Sequence, residues 1–224
     1  MKKVAVILSG SGYLDGSEIR EAVGVLWALS PHNVEVECFA PDIKQSDVVH
    51  HITGQPVKEE RNVLVESARI ARGKIRPLSE LDPGDFDALV MPGGFGAAKN
   101  LSTFAFQGSG GTVLPEVAHA IKSMLDAGKP VGAACIAPAV VAVAAKGNAL
   151  ELTVGAQGEE AQEIEKLGHK HVVTKPHEVH IDRNNNVVTT PAYMYDDAPL
   201  HEIFEGIRKM VDEVIKMTNA SVAA

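Results

Sequence analysis

The sequence predicts one domain spanning residues 1–224, a three-layer α/β/α sandwich around a mostly parallel sheet. Three observations carry that expectation. Apolar strand-like runs alternate with helix-like periodic segments along the whole chain, the pattern of strands joined by crossover helices. Two of those runs, Lys3 to Leu8 and Phe86 to Met91, end in glycine-rich turns, Ser9-Gly10-Ser11-Gly12 and Pro92-Gly93-Gly94. A third run, Val131 to Ala134, is small and apolar, as a strand covered on both faces requires. It turns at Cys135 into a helix with Pro138 in its first turn, where the missing N–H leaves no bond unmade.

The elements follow in order. After the first strand, Glu18 to Leu29 reads as a helix with Ile19, Val23, Leu26 and Trp27 on one side. Asp15 as N-cap with Glu18 three residues on makes a capping-box arrangement. Val34 to Ala40 alternates Glu35 and Glu37 with Val34, Val36 and Cys38 and is the second strand. A small two-stranded excursion through His50, His51 and Pro56 leads to a helix over Asn62 to Ala71. Leu81-Asp82-Pro83-Gly84 is a turn before the Phe86 to Met91 strand, and Glu116 to Ala127 is a helix capped by Gly128. The helix after Cys135 reaches about Ala145. Leu150 to Val154 is then a strand, Glu159 to Leu167 a helix, and Val179 to Ile181 pairs with Val187 to Thr190 around Asn184, Asn185 and Asn186. The last helix, about Ala198 to Met217, turns Ile203, Phe204, Ile207, Val211, Val214 and Ile215 inward, and Thr218 to Ala224 is a frayed tail.

Composition bounds the function. With 45% hydrophobic and 22% charged residues, the chain has the make-up of a soluble globular protein with a large core. A net charge of -8 argues against nucleic acid as the main partner. The two cysteines, Cys38 and Cys135, lie far apart without metal-type spacing, which fits a reducing cytoplasm and no disulfide framework. The apolar run after Lys2 and Lys3 is too short for a signal peptide, and no stretch is long enough to span a bilayer.

In sheets of this kind ligands bind where loops leave the carboxyl ends of strands. Ala133 and Ala137, two residues either side of Cys135, suit a nucleophile elbow, whose tight turn excludes bulky neighbours. The N–H groups of the new helix would then lower the thiol pKa. Cys135 as a buried core residue is the plainer alternative. Glu18 is a helix cap, or a carboxyl at the mouth of the first strand that faces the elbow and moves a proton. Gly93 and Gly94 supply a loop with positive φ, or bare N–H groups that meet an oxyanion together with the N–H of Ile136. Gly10 and Gly12 open an imperfect dinucleotide fingerprint, because Gly16 comes one residue too late. Isoleucine, not histidine, follows Cys135, which leaves His177-Glu178 as the candidate relay. His50 and His51 read as a surface pair, and His169, His171 and His180 lack companions at metal-ligand spacing, so no metal is expected.

The segments Val6 to Gly12, Asp15-Gly16-x-Glu18-Ile19, Met91 to Leu101 and Cys135-Ile136-Ala137-Pro138 are long and specific. So are Cys38 to Asp42, Arg61 to Leu64 and Thr189-Thr190-Pro191-Ala192-Tyr193-Met194. Together they resemble the ElbB family of isoprenoid-biosynthesis-associated glyoxalases, in the ThiJ/PfpI group of the class I glutamine amidotransferase-like superfamily. The resemblance implies a flavodoxin-like sheet, a nucleophile at Cys135, a proton-shuttling glutamate at Glu18 and oxyanion glycines at Gly93 and Gly94. It further implies glutathione-independent conversion of methylglyoxal or glyoxal to a 2-hydroxy acid with no cofactor. A homodimer follows from the same likeness, with Asn100 to Gly111, including Phe104 and Phe106, as a covering segment. Glutamine hydrolysis for a partner synthetase, or redox sensing at Cys135, are the alternative functions.

Overall fold

The computed structural model describes residues 1–220. Strand β1 (Lys2–Ile7), helix α1 (Ile19–Leu29) and β2 (Val34–Ala40) lead into a hairpin of β3 (Val49–His50) and β4 (Gln55–Pro56). Helix α2 (Val63–Ile70) returns to β5 (Ile75–Pro77). After β6 (Ala88–Met91) come two short helices, α3 (Phe95–Lys99) and α4 (Phe104–Gln107), and then α5 (Pro115–Asp126). Strand β7 (Val131–Ala134) feeds α6 (Ala137–Ala144), followed by β8 (Glu151–Leu152), α7 (Glu159–Lys166) and β9 (Lys170–His171). The chain closes with β10 (His180–Asp182), β11 (Val187–Thr190) and α8 (Leu200–Ala220).

Seven strands form the main sheet in the order β10-β11-β7-β6-β1-β2-β5, parallel throughout except for the β10–β11 hairpin. Helices α1 and α8 pack together on one face, and α5 and α6 cover the other, with α7 packed against α6 and β9. The expected three layers and mostly parallel sheet are therefore present. The central strands β6 and β7 are buried at every residue, which is why Ala88–Met91 and Val131–Ala134 carry no polar side chain. Helix α8 buries Ile203, Ile207, Met210, Val211, Val214 and Ile215 along one stripe. Each such side chain contributes about 1.5–3 kcal/mol against exposure. No helix among the described residues is long and apolar enough to cross a membrane.

Four expectations need correction. Ile75–Pro77 is an edge strand beside β2, too short and too polar to stand out in the sequence. The inner face of α1 is not the stripe of Ile19, Val23 and Trp27, all about half exposed, but Glu21, Ala22, Val25, Ala28 and Leu29. Strands β1 and β7, which would need to lie side by side for a carboxyl at the mouth of β1 to face the elbow, are separated by β6. The tail begins later than expected: Thr218 is buried within α8, and residues 221–224 lie outside the described residues.

The order of strands reverses between β1 and β6, the switch point at which such sheets form crevices. There the loop after β1 and the loop after β6 are bonded backbone to backbone. The Phe95 N–H donates to Tyr13 O at 2.7 Å, the Gly96 N–H to Gly16 O at 2.9 Å, and the Glu18 N–H to Gly93 O at 3.0 Å. The approach is so close that a Cβ on Gly96 would stand 2.5 Å from the Gly16 Cα. Glycine is required there by contact.

Candidate active site

Cys135 sits at a sharp corner between β7 and α6 with φ 59, a left-handed conformation that costs an L-residue about 1–2 kcal/mol. Its N–H donates to Thr190 O at 2.9 Å, which ties the corner to β11. Ala133 and Ala137 are fully buried on either side of it. This is the strand–turn–helix geometry that the alanine spacing predicts.

The carboxyl that meets the sulfur belongs to Glu21. It is 0% exposed on the inner face of α1 and lies close enough to the Cys135 side chain for each to shift the other's proton release. Two backbone donors fix it: the Gly93 N–H reaches Oε2 at 2.8 Å, and the Tyr193 N–H reaches Oε1 at 3.1 Å. Glu18 stands elsewhere. It is the N-cap of α1, its Oε2 accepting the Glu21 N–H at 2.6 Å, and it acts on Glu21 by charge rather than on the thiol. Asp15, expected as that cap, is buried and accepts the Val49 N–H at 2.8 Å, anchoring the β3–β4 hairpin.

The glycines divide the work. The Gly93 N–H is spent on Glu21 and is not free for a substrate oxygen, which corrects its assignment as an oxyanion donor. A Cβ there would come within 2.4 Å of the Cys135 Cβ and 2.8 Å of Glu21 Oε2. Gly94, with φ +94, and Ile136 aim their N–H groups at the sulfur and favour its charged form. These two donors are in place to hold a negative sulfur or an oxygen bonded beside it.

Burial dominates the electrostatics. It pushes the Cys135 thiol well above its ordinary range, and the neighbouring Glu21 pushes the same way. The two N–H groups only partly offset this, so the low thiol pKa expected from the helix terminus is not what the site provides. Glu21 is raised from 4.5 to about 8, first by burial and then by repulsion from Glu18, against the pull of its two backbone donors and the thiol. Glu18 is itself raised by burial, opposed by the Glu21 N–H and the positive charge of Arg20. At neutral pH both Glu21 and Cys135 are therefore mainly protonated, and only when Glu21 releases its proton is a single one left to the pair.

The other candidates fall away from the sulfur. His177 pairs with Glu202 of α8 through Nδ1 at 3.3 Å rather than with the thiol. His169 and His171 are buried and accept the N–H groups of Leu150 and Val154, which makes them structural. His50 and His51 are both exposed, as expected, and His51 Nε2 also stands 3.7 Å from Asp15. The turn after β1 has its donors committed: Gly10 N–H to Ser67 Oγ, Gly12 N–H to Ser17 O and Gly16 N–H to Gly12 O, leaving none of the three to cradle a phosphate. Among the described residues no three His, Cys, Asp or Glu side chains are grouped to hold a metal. Of the covering segment, Phe104 is buried and Phe106 is exposed.

Sequence reasoning missed Glu21 and Tyr193. The signal for Glu21 was present: it lies on the same helical stripe as Ala22, Val25, Ala28 and Leu29, a charge in a small-residue core face. Tyr193 acts through its backbone, which no side-chain pattern reveals.

Known proteins are similar to this chain along almost its whole length. The DJ-1/PfpI family pattern matches residues 2–199. The human "glutamine amidotransferase-like class 1 domain-containing protein 3, mitochondrial" is 49% identical over 96% of this chain and 83% of its own length. The zebrafish "ES1 protein, mitochondrial" is 34% identical over 96% of this chain and 86% of its own. A crystal structure of an isoprenoid biosynthesis protein with an amidotransferase-like domain from Ehrlichia chaffeensis superposes with a TM-score of 0.89 at 39% identity, covering 97% of this chain and 99% of that one. Drosophila DJ-1beta, at 17% identity and a TM-score of 0.55 over 100% of this chain and 98% of its own, shares the fold. The mitochondrial names among these relatives overturn the cytoplasmic location inferred from the cysteines. Unpaired cysteines indicate a reducing compartment and do not say which one.

Proposed function

The chain belongs to the DJ-1/PfpI family, and from that membership and the Cys135–Glu21 contact we propose a glutathione-independent glyoxalase of the ElbB kind. The substrate is a small 2-oxoaldehyde such as methylglyoxal or glyoxal. The observation that carries the reading is a buried thiol beside a buried carboxyl whose proton release is raised to about 8. A nucleophile and a proton carrier are what aldehyde addition and carbon-to-carbon proton transfer need.

The steps balance on these groups. In molecules where Glu21 has released its own proton to solvent, the proton of Cys135 passes to the carboxylate as the sulfur adds to the aldehyde carbon, and the resulting oxygen is held by the N–H groups of Gly94 and Ile136. Glu21 protonates that oxygen to give a neutral hemithioacetal. The carboxylate then removes the hydrogen from the former aldehyde carbon, giving an enediolate, and returns it to the neighbouring carbon, while the hydroxyl proton moves to the neighbouring oxygen and leaves a carbonyl beside the sulfur. The product at this stage is a thioester, and water cleaves it to the 2-hydroxy acid and free Cys135. One carbon is oxidised and its neighbour reduced, so no external oxidant is consumed.

The test is lactate formation from methylglyoxal by the purified protein without glutathione. Lactate should accumulate with wild type and not with Cys135→Ser. No lactate from wild type, or equal lactate from Cys135→Ser, overturns the reading.

A further inference from the structure

Two strained non-glycine residues converge on the Glu21 carboxyl. Cys135 is one, with φ 59; the other is Ala192, with φ 43, in the turn after β11. Strain of this kind persists only where surrounding contacts hold it, and it concentrates at working sites. Ala192 immediately precedes Tyr193, whose N–H donates to Glu21 Oε1 at 3.1 Å. The left-handed twist at Ala192 is what aims that N–H.

The turn is held from outside by Arg20. Its Nη1 donates to the Tyr193 hydroxyl at 2.8 Å, and its guanidinium lies 5.8 Å from the centroid of the Tyr193 ring. Arg20 is exposed, and among the described residues it forms no ion pair. Fixing a long exposed side chain costs rotamer freedom that a solvent-facing arginine would keep. Arg20 is also the residue before Glu21 on α1, so one helical turn carries both the carboxyl and the arm that holds its donor.

We propose that Arg20 and Tyr193 are positioning residues for the Glu21 carboxyl: their clasp keeps the strained Ala192 turn closed so that the Tyr193 N–H fixes how that carboxyl faces Cys135. The proposal rests on the reading of Glu21 as the proton carrier. The groups that face this carboxyl are few. Glu18 lies at the start of its own helix and Cys135 at the elbow; the Gly93 loop and the Tyr193 turn each contribute a backbone N–H. Arg20 acts on the carboxyl through Tyr193, and by charge it acts on Glu18. Opening the clasp removes one of the two donors that favour the carboxylate, so Glu21 holds its proton to higher pH.

The test is a carboxyl-carbon NMR titration of the full chain, with the Glu21 signal identified by its loss in Glu21→Gln. It needs no substrate, so it stands apart from the lactate assay. Arg20→Met and Tyr193→Phe should each raise the Glu21 midpoint from about 8 by half a unit to one unit. The double variant should rise no further, because both changes open the same clasp. Both positions are at the surface side of the turn, and thermal melts of the variants check that the fold is intact. An unchanged midpoint in either single variant, a fall, or shifts that add in the double variant would overturn the clasp. A merely structural surface contact would alter the melting temperature and leave the midpoint where it was.

Discussion

The Gly93 N–H donates to Glu21 Oε2 at 2.8 Å, so the glycine beside the nucleophile serves the carboxyl rather than the substrate. The Gly93→Ala variant should therefore damage the site by two routes. Its Cβ would fall 2.4 Å from the Cys135 Cβ and 2.8 Å from Glu21 Oε2, a clash worth about 1–3 kcal/mol or more. Thermal melts should show a loss of several degrees and lactate formation should cease. Gly110→Ala, where nothing lies within 4 Å, is the control and should change neither.

Stability should fall as pH rises across the neutral range. Glu21 releases its proton near 4.5 when unfolded and near 8 when folded. Between those values the folded state binds more protons than the unfolded state. The stabilisation from a protonated Glu21 is thus full below about 4.5 and lost as pH climbs towards 8, with a slope of up to about 1.4 kcal/mol per pH unit. Urea midpoints at several pH values should show this slope in wild type and a flatter line in Glu21→Gln. Equal slopes would mean that Glu21 does not carry the proton.

Glu18 contributes through its cap and its charge. Glu18→Ala should cost about 1 kcal/mol by leaving the Glu21 N–H without its acceptor. Glu18→Gln keeps an acceptor and removes the charge that raises Glu21, so the Glu21 midpoint should drop below about 8 with stability little changed. A rise in that midpoint would contradict the assigned repulsion.

Alkylation should be slow at neutral pH and climb through pH 9, because burial and Glu21 hold the Cys135 thiol above its ordinary range. Iodoacetamide labelling read at the Cys135 peptide measures this directly. Saturation below pH 7 would show that the helix terminus outweighs burial after all.

Most of the frame was legible because it rests on patterns that the side chains carry. Ala133 and Ala137 around Cys135, the glycines after β1 and β6, and the small strand Val131–Ala134 each report a steric demand. The phase of α1 was not legible in the same way. Ile19, Val23 and Trp27 form a better apolar stripe than the true inner face, and tertiary packing overrode it. That misreading hid Glu21, since a glutamate among alanines on a face taken as outer looks solvated. The thiol's acidity failed for another reason: local helix geometry predicts a low value, whereas desolvation depends on everything packed around the sulfur. Tyr193 and Ala192 act through backbone direction, which the sequence does not express.

The central claim is that Glu21, not Glu18, moves the proton. Methylglyoxal consumption by wild type, Glu21→Gln and Glu18→Gln, measured side by side at pH 7, tests it most directly. Glu21→Gln should lose about 10²–10⁴-fold, the usual contribution of a positioned acid–base group, while Glu18→Gln stays within a few fold of wild type. Wild-type turnover in Glu21→Gln, or an equal collapse in Glu18→Gln alone, would contradict the account.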